Sequence, residues 1–315
     1  MTIHGAGLPW GMRTVVTIGN FDGVHRGHAS LVRRARELAG SGGRVVAMTF
    51  EPHPAAVLRP EGAPPRIVPF SRRVELLRAC GADEVEPMDP RGGVLECSAE
   101  DFVRGVVARH APSAFVEGPD FHFGKRRAGN VRVLAEFGRV MGFVVDVAPP
   151  VEATLPDGMV VTASSSLVRW LVSHGRVADA AAVLGRAFEM AGEVVPGDRL
   201  GRRIGFPTAN VRWGGQQLLP ADGVYAGRAE LPTGESVQAM VNVGTRPTVS
   251  GVDRRVEAHL IREAPAWSPW PGLPEYGWPI VLRVERWLRD QVRFPGVPAL
   301  VEQLGRDRQR VRSGC

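Results

Sequence analysis

His25 and His28 stand three residues apart in GNFDGVHRGH, residues 19–28, with Gly27 between them. The segment follows an apolar, β-branched run (VVTIG) and opens a helical pattern, which makes it a strand-to-helix turn. The first backbone N–H groups of a helix have no partners within it, and the helix dipole favours an anion there. Side chains at i and i+3 can share one side of that first turn, and a glycine between them lets the backbone approach a ligand closely. Two imidazoles and a helix N-terminus could then reach one phosphate. The same ten residues also read as a tight turn flanked by polar side chains, and the segment alone leaves both readings open.

The elements that must hold this turn alternate up to about residue 150. VVTIG is followed by HASLVRRARELAG, where Leu31, Ala35 and Leu38 recur at helical spacing and Gly40 is placed to stop the helix. GRVVAMTF, a helix over RRVELLRAC, a strand near DEVEPM, a helix DFVRGVVARH begun by Ser98 and Asp101 as a capping box, and the strands SAFVEG and GFVVDVA continue the alternation. Strand–helix alternation predicts βαβ units and a parallel sheet whose ligands lie beyond the carboxyl ends of the strands. SSSLVRWLVSHG and RVADAAAVLGR read as two short helices closing this domain. From about residue 187 the pattern becomes antiparallel, through FEMAGEVV, VYAGRAEL, SVQAMVNVG, VEAHLI and PIVLRVERWL, so that a small barrel with the terminal helix VPALVEQLGRDRQRV is expected. The expected fold class is α/β: an N-terminal Rossmann-like domain over 1–185 and a C-terminal antiparallel β-barrel with a terminal helix over 186–315.

A chain of 315 residues suits two domains, and 44% hydrophobic with 23% charged residues is ordinary for a globular protein. No apolar stretch approaches the ~20 residues that cross a bilayer, and the N-terminus lacks the basic-then-apolar pattern of a secretory signal, so no membrane and a cytoplasmic location are expected. Cys80, Cys97 and Cys315 lack zinc or disulfide spacing. The formal charge of +6 comes almost wholly from arginine, Lys125 being the sole lysine. The basic clusters at 125–127 and 306–312 are short and lack interleaved aromatics, and nucleic acid is not an expected partner.

TFEPHP (49–54), GPDFHFGKRRAGN (118–130) and ASSSLVR (163–169) follow the histidine turn in order. Together they resemble the adenylyltransferase module of bacterial bifunctional riboflavin kinase/FAD synthetases, a nucleotidylyltransferase. The resemblance implies that His25, His28 and Arg169 act on the ATP phosphates, with Ser165 and Ser166 beside them. It also implies that Gly19, Asn20, Phe21 and Asp22, together with Asp120 and Phe121, contact nucleotide and flavin. Leu167 stands where the family often has arginine. GDRLGRRIGFPTAN (197–210), DGVYAG, NVGTRPT and VEAH are similar to the riboflavin kinase module of the same family. There Gly201, Gly205 and Pro207 would wrap phosphate, Thr208 and Asn210 would offer oxygen to a Mg²⁺ shared with ATP, and Glu257 would be the general base for the ribityl hydroxyl. From the local sequence alone Glu257 reads equally as a barrel-surface carboxylate. The implied reactions take riboflavin and ATP to FMN, then FMN and a second ATP to FAD and pyrophosphate, with small molecules as partners and transient homo-oligomers in the family.

One departure is EAPAWSPWPGLPEYGWP (263–279), rich in tryptophan and proline where the family usually has a shorter acidic loop. A cover for the flavin site, a contact between molecules and a local elaboration all remain open for it. Outside catalysis, a flavin or nucleotide sensor would keep both pockets without turnover, and a nucleic-acid binder would use the positive charge.

Overall fold

The computed structural model describes residues 13–248, 251–262 and 269–314, which leaves Trp267 and Cys315 outside the described residues. By packing, the chain forms two compact units. The first comprises 1–64, 69–153 and 160–165; the second comprises 65–68, 154–159 and 166–315.

In the first unit, β1 (Thr14–Gly19), β2 (Arg44–Phe50), β3 (Glu84–Met88), β4 (Ala114–Glu117) and β7 (Val144–Val147) form a parallel sheet in the order β3-β2-β1-β4-β7. Short antiparallel pairs, β5 (His122–Phe123) with β6 (Gly129–Asn130) and β8 (Glu152–Thr154) with β9 (Val160–Thr162), lie outside it. The principal helices are α1 (Arg26–Ala39), α2 (Pro54–Leu58), α3 (Phe70–Ala79), α4 (Ala99–His110) and α5 (Val131–Met141). Alternation along the strands sends Val15, Val45 and Val116 to one face and Val16, Val46 and Phe115 to the other. Both faces are therefore apolar, as a parallel sheet covered by helices requires. Ala29, Val32, Ala35 and Ala39 form the buried stripe of α1, and Gly40 ends the helix at φ 73° with its N–H on Arg36. Ser98 caps α4 by accepting from Asp101 N at 3.0 Å, as the capping-box pattern predicts.

The sheet reverses its order at β1. β1 pairs with β2 over all six of its residues but with β4 over only two, Val15 and Val16. The carboxyl ends of β1 and β4 therefore part where a doubly wound sheet takes its ligand.

The second unit closes a six-stranded barrel in the order β10-β11-β14-β13-β12-β15. Its strands are β10 (Phe188–Val195), β11 (Ala209–Trp213), β12 (Gly223–Glu230), β13 (Ser236–Thr248), β14 (Gly251–Leu260) and β15 (Pro279–Arg289), and each adjacent pair is antiparallel. Phe188, Met190, Tyr225, Ile280 and Leu282 are fully buried. α9 (Val297–Arg312) belongs to this unit, its Val311 joining a core cluster with Phe206, Val224 and Met240. α6 (Ser165–Ser173) and α7 (Val177–Leu184) group with this unit from Ser166 onward, whereas the sequence pattern attaches them to the α/β domain. The short helix α8 (Leu200–Arg203) sits between β10 and β11. No described helix is long and apolar enough to cross a membrane.

Candidate functional site

The turn between β1 and α1 is built on buried residues. Phe21 is fully buried in the core cluster beneath α1, and Asp22, Val24 and His25 are buried as well. Phe21 and Val24 both hold positive φ, 45° and 40°, a conformation that costs energy for residues with a Cβ and persists where packing dictates it. His25 is the N-cap of α1. Its Nδ1 accepts from the backbone N–H of Gly27 at 3.1 Å and of His28 at 3.4 Å. This corrects one expectation: two of the first-turn N–H groups are satisfied by the His25 ring itself. With Nδ1 accepting, Nε2 is the ring's N–H donor.

The two imidazoles stack with centroids 3.7 Å apart and planes 24° from parallel, and Phe21 meets the His28 ring edge-on at 5.2 Å. The i, i+3 spacing thus brings both rings together on one side. Gly27 leaves room for the His25 ring, from which a Cβ would sit only 3.0 Å away. From later in the chain, Ser165 Oγ donates to the Asp22 carbonyl at 2.8 Å.

Gly19 is half-buried and Asn20 exposed at the strand's end. Asp120 is exposed; Phe121 is half-buried and stacked on Phe123 at 5.4 Å. Lys125 pairs with Glu96, and Arg127 reaches His122 Nδ1. Ser166 is exposed, and Arg169 Nε donates to the Pro65 carbonyl at 2.8 Å, both within the second unit. His53, in the TFEPHP motif, caps α2 through its Nδ1, which accepts from Ala55 N–H at 3.1 Å.

Two side chains that the motifs do not mark hold the floor of this turn. Arg73, on α3 and almost fully buried, donates to the Asn20 and Phe50 carbonyls and to Thr49 Oγ1, and pairs with Glu51 at 3.0 Å. It ties the ends of β1 and β2 together. Glu117, fully buried at the end of β4, accepts from Ile18 N–H at 2.8 Å, where the β1–β4 ladder has stopped. Burial favours the neutral acid and raises its pKa well above the ordinary carboxylate value, outweighing the Ile18 N–H hydrogen bond, which favours the carboxylate.

In the barrel, Asn210, Glu257 and Asn242 lie directly opposite one another on β11, β14 and β13. Cross-strand partners share a face, and the neighbours Val256 and Ala258 are buried, so this polar row lies on the outer face of the barrel wall. Gln291 Nε2 holds Asn242 Oδ1 at 2.7 Å. The preceding loop packs against itself tightly. A Cβ on Gly201 would lie 2.3 Å from the Phe206 carbonyl, one on Gly197 would fall 2.0 Å from Asn210 Nδ2, and Gly205 has φ 83°. Pro207 is fixed through its carbonyl by buried His259 Nδ1 at 2.8 Å, and burial lowers the pKa of that imidazole.

Pro207, Thr208 and Asn210 line a pocket with Arg199, Arg202, Trp270, Glu275, Tyr276 and Trp278. Glu275 takes Arg202 at 2.5 Å and lies 3.8 Å from Arg199; the Arg202 hydrogen bond, then Tyr276, hold it below the usual carboxylate range. The described part of the tryptophan-rich segment is therefore a wall of this pocket, a role that composition does not reveal.

Two family models match the chain, FAD synthetase over residues 11–160 and riboflavin kinase over residues 184–314. A bifunctional riboflavin kinase/FMN adenylyltransferase of Escherichia coli K12 is 35% identical over 306 residues, 95% of this chain and 91% of that protein. Its counterpart from Pseudomonas fluorescens is 37% identical over 250 residues, 78% of each chain. A crystal structure described as a macrolide-efflux protein from Streptococcus pneumoniae superposes with a TM-score of 0.84 at 29% identity, over 97% of this chain and 95% of that one. Two matched modules in one chain, each containing its own cluster of polar groups, place this protein in the bifunctional riboflavin kinase/FMN adenylyltransferase family.

Proposed function

We propose that the two activities divide along the chain, adenylyl transfer in residues 1–185 and riboflavin phosphorylation in residues 186–315. The enzyme phosphorylates riboflavin with ATP to FMN and adenylylates FMN with a second ATP to FAD and pyrophosphate. The observation that carries the division is the stacked His25–His28 pair at the start of α1, at the reversal point of the first unit's sheet.

In adenylyl transfer, an FMN phosphate oxygen attacks the α-phosphorus of ATP in line and pyrophosphate leaves. His25 Nε2–H and His28 donate to the non-bridging oxygens as charge develops, and the start of α1 adds its dipole. No covalent enzyme intermediate is needed. Arg169 and Ser166 act on the leaving phosphates, while Ser165 holds the Asp22 carbonyl and so steadies the turn. Gly19, Asn20, Asp22, Asp120 and Phe121 serve the nucleotide and flavin. Phe21, buried in the core, serves by shaping the turn.

In phosphorylation, Glu257 accepts the proton of the ribityl 5′-hydroxyl as its oxygen attacks the γ-phosphorus. Gly201, Gly205 and Pro207 shape the loop around the phosphates. Thr208 and Asn210 present neutral oxygens, and among the described residues no cluster of three or more His, Cys, Asp or Glu is placed to hold a metal. That donor set suits a Mg²⁺ delivered with the nucleotide, whose phosphates provide most of its ligands and whose charge the ion neutralises. We place the enzyme in the cytoplasm, where ATP is supplied.

Incubation with riboflavin, ATP and Mg²⁺, with chromatographic separation of the flavins, tests the division. His28→Ala is expected to stop at FMN, and Glu257→Ala to make no FMN while still converting added FMN to FAD. A His28→Ala enzyme that makes no FMN from riboflavin, or a Glu257→Ala enzyme that cannot convert added FMN to FAD, would overturn it.

A further inference from the structure

One residue of the barrel pocket's wall carries a hydrogen-bond donor that has no acceptor among the described residues. Trp278 is 7% exposed, lines the pocket, and its indole Nε1 is buried with no hydrogen-bond partner among the described residues. A buried N–H left unpaired is unfavourable, and tryptophan in a core normally finds an acceptor for it. The residue is not loosely placed: its carbonyl accepts from Val194 N–H at 2.9 Å and Gly277 N–H donates to the Val194 carbonyl at 2.8 Å, so β10 clamps it at the start of β15. The donor is thus fixed in a rigid wall before any ligand arrives.

The pocket's chemistry is graded. Arg199 and Arg202 lie with Thr208 and Asn210, while Trp270 and Trp278 supply aromatic faces. Cations joined to an aromatic slot suit a ring that carries phosphates. Riboflavin carries no phosphate, so of the two kinase substrates the nucleotide matches. We propose that Trp278 is a specificity-determining residue of the kinase module, whose indole N–H donates to an acceptor atom on the edge of the purine base of ATP. Glu275, held on Arg202, lies on the same wall and yields as the phosphates arrive. This inference rests on the barrel being the riboflavin kinase module.

The test uses the full-length enzyme with riboflavin phosphorylation as readout. Trp278→Phe removes the donor and keeps an aromatic ring; replacement by β-(3-benzothienyl)alanine removes it without changing shape. Both are expected to raise the KM for ATP about tenfold, the factor for one lost hydrogen bond, with kcat within about twofold and the KM for riboflavin unchanged. Among 1-deaza-, 3-deaza- and 7-deaza-ATP, one should cost the wild type a similar factor and cost the benzothienyl variant nothing further. If the riboflavin KM rises instead, the flavin ring occupies this wall and the proposal fails. If the benzothienyl variant matches the wild type, the indole is a packing residue and the proposal also fails. An inactive kinase in the wild type would overturn the division of labour instead, before Trp278 is tested.

Discussion

On the proposed division of labour, the two units would meet a phosphate in opposite ways. The α/β unit offers donors locked by the core: a 14-residue helix, a capping imidazole, and a turn whose hydrophobic residues are buried. The barrel unit offers Arg199 and Arg202, at the start of and within a four-residue helix, and Glu275 already pairs with both. A preorganised dipole loses little on binding and speeds the chemical step. A neutralised arginine must exchange one anion for another, which tunes affinity more than rate. Two nucleotide sites in one chain can therefore respond differently to similar substitutions.

The sharpest break in that comparison is catalytic. His28→Ala should lower FMN adenylylation by roughly 10²–10³-fold, and Glu257→Ala should lower riboflavin phosphorylation by roughly 10²–10⁴-fold. Each should leave the other reaction within about twofold, since the two groups serve separate modules. Initial rates with riboflavin and with FMN as separate substrates measure all four numbers. A His28 variant that retains full FAD synthesis would remove the preorganised half of the contrast.

Next in size is the floor of the turn. Arg73→Ala should cost about 3 kcal/mol of stability in the α/β unit, because it removes a buried donor to the Asn20 and Phe50 carbonyls and the cation paired with Glu51. Arg73→Lys should recover little, since one ammonium cannot reach the Asn20 and Phe50 carbonyls and Glu51 with a guanidinium's fork. Urea unfolding followed by far-ultraviolet circular dichroism would read the loss. An unchanged midpoint would show that the histidine turn stands without this tie.

Arg73 also marks where sequence reasoning stops. The histidine turn was legible because its chemistry and its elements are local: strand, ten residues, helix. The barrel loop was legible for the same reason. Arg73 lies in RRVELLRAC, where an arginine reads as a solvated face, and its partners lie 22 to 53 positions earlier. Glu117 sits in SAFVEG as the polar end of a strand, and only the parting of β1 from β4 makes it a buried bridge. Strands of two or three residues, such as β5, β6, β8 and β9, carry no period to detect. Trp278 belongs to a segment whose composition suggested several roles, and its clamp on β10 is a long-range fact.

Acidity separates the units by sign. Glu117 has a folded pKa raised well above 4.5, so its contribution is complete below the unfolded value and is lost as pH rises through the folded one. His259 has a folded pKa below 6.5, mainly through burial, so the unfolded chain binds the proton more readily. Its contribution is complete above 6.5 and is lost as pH falls from there through the folded value. Stability measured against pH should fall less on the alkaline side in Glu117→Gln and less on the acid side in His259→Gln. Identical profiles for both variants would remove the distinction.

The smallest effect tests whether the barrel's arginines are held in reserve. Glu275 sits on Arg202 at 2.5 Å and near Arg199 at 3.8 Å, with its side chain about a third exposed. An ion pair this accessible is screened by water and salt and contributes little to stability. Its effect on an incoming phosphate is competitive: the nucleotide must take over guanidinium groups that already have a carboxylate. Glu275→Gln keeps the shape and removes the charge, so the KM for ATP in riboflavin phosphorylation should fall by about twofold at low salt. The difference from wild type should shrink as ionic strength rises and the Debye length shortens. FMN adenylylation in the same protein should not change, because Glu275 belongs to the other module. A higher KM in Glu275→Gln would mean that the carboxylate positions the arginines for the nucleotide. The barrel would then be preorganised in its own way, and the contrast between the units would be one of materials alone.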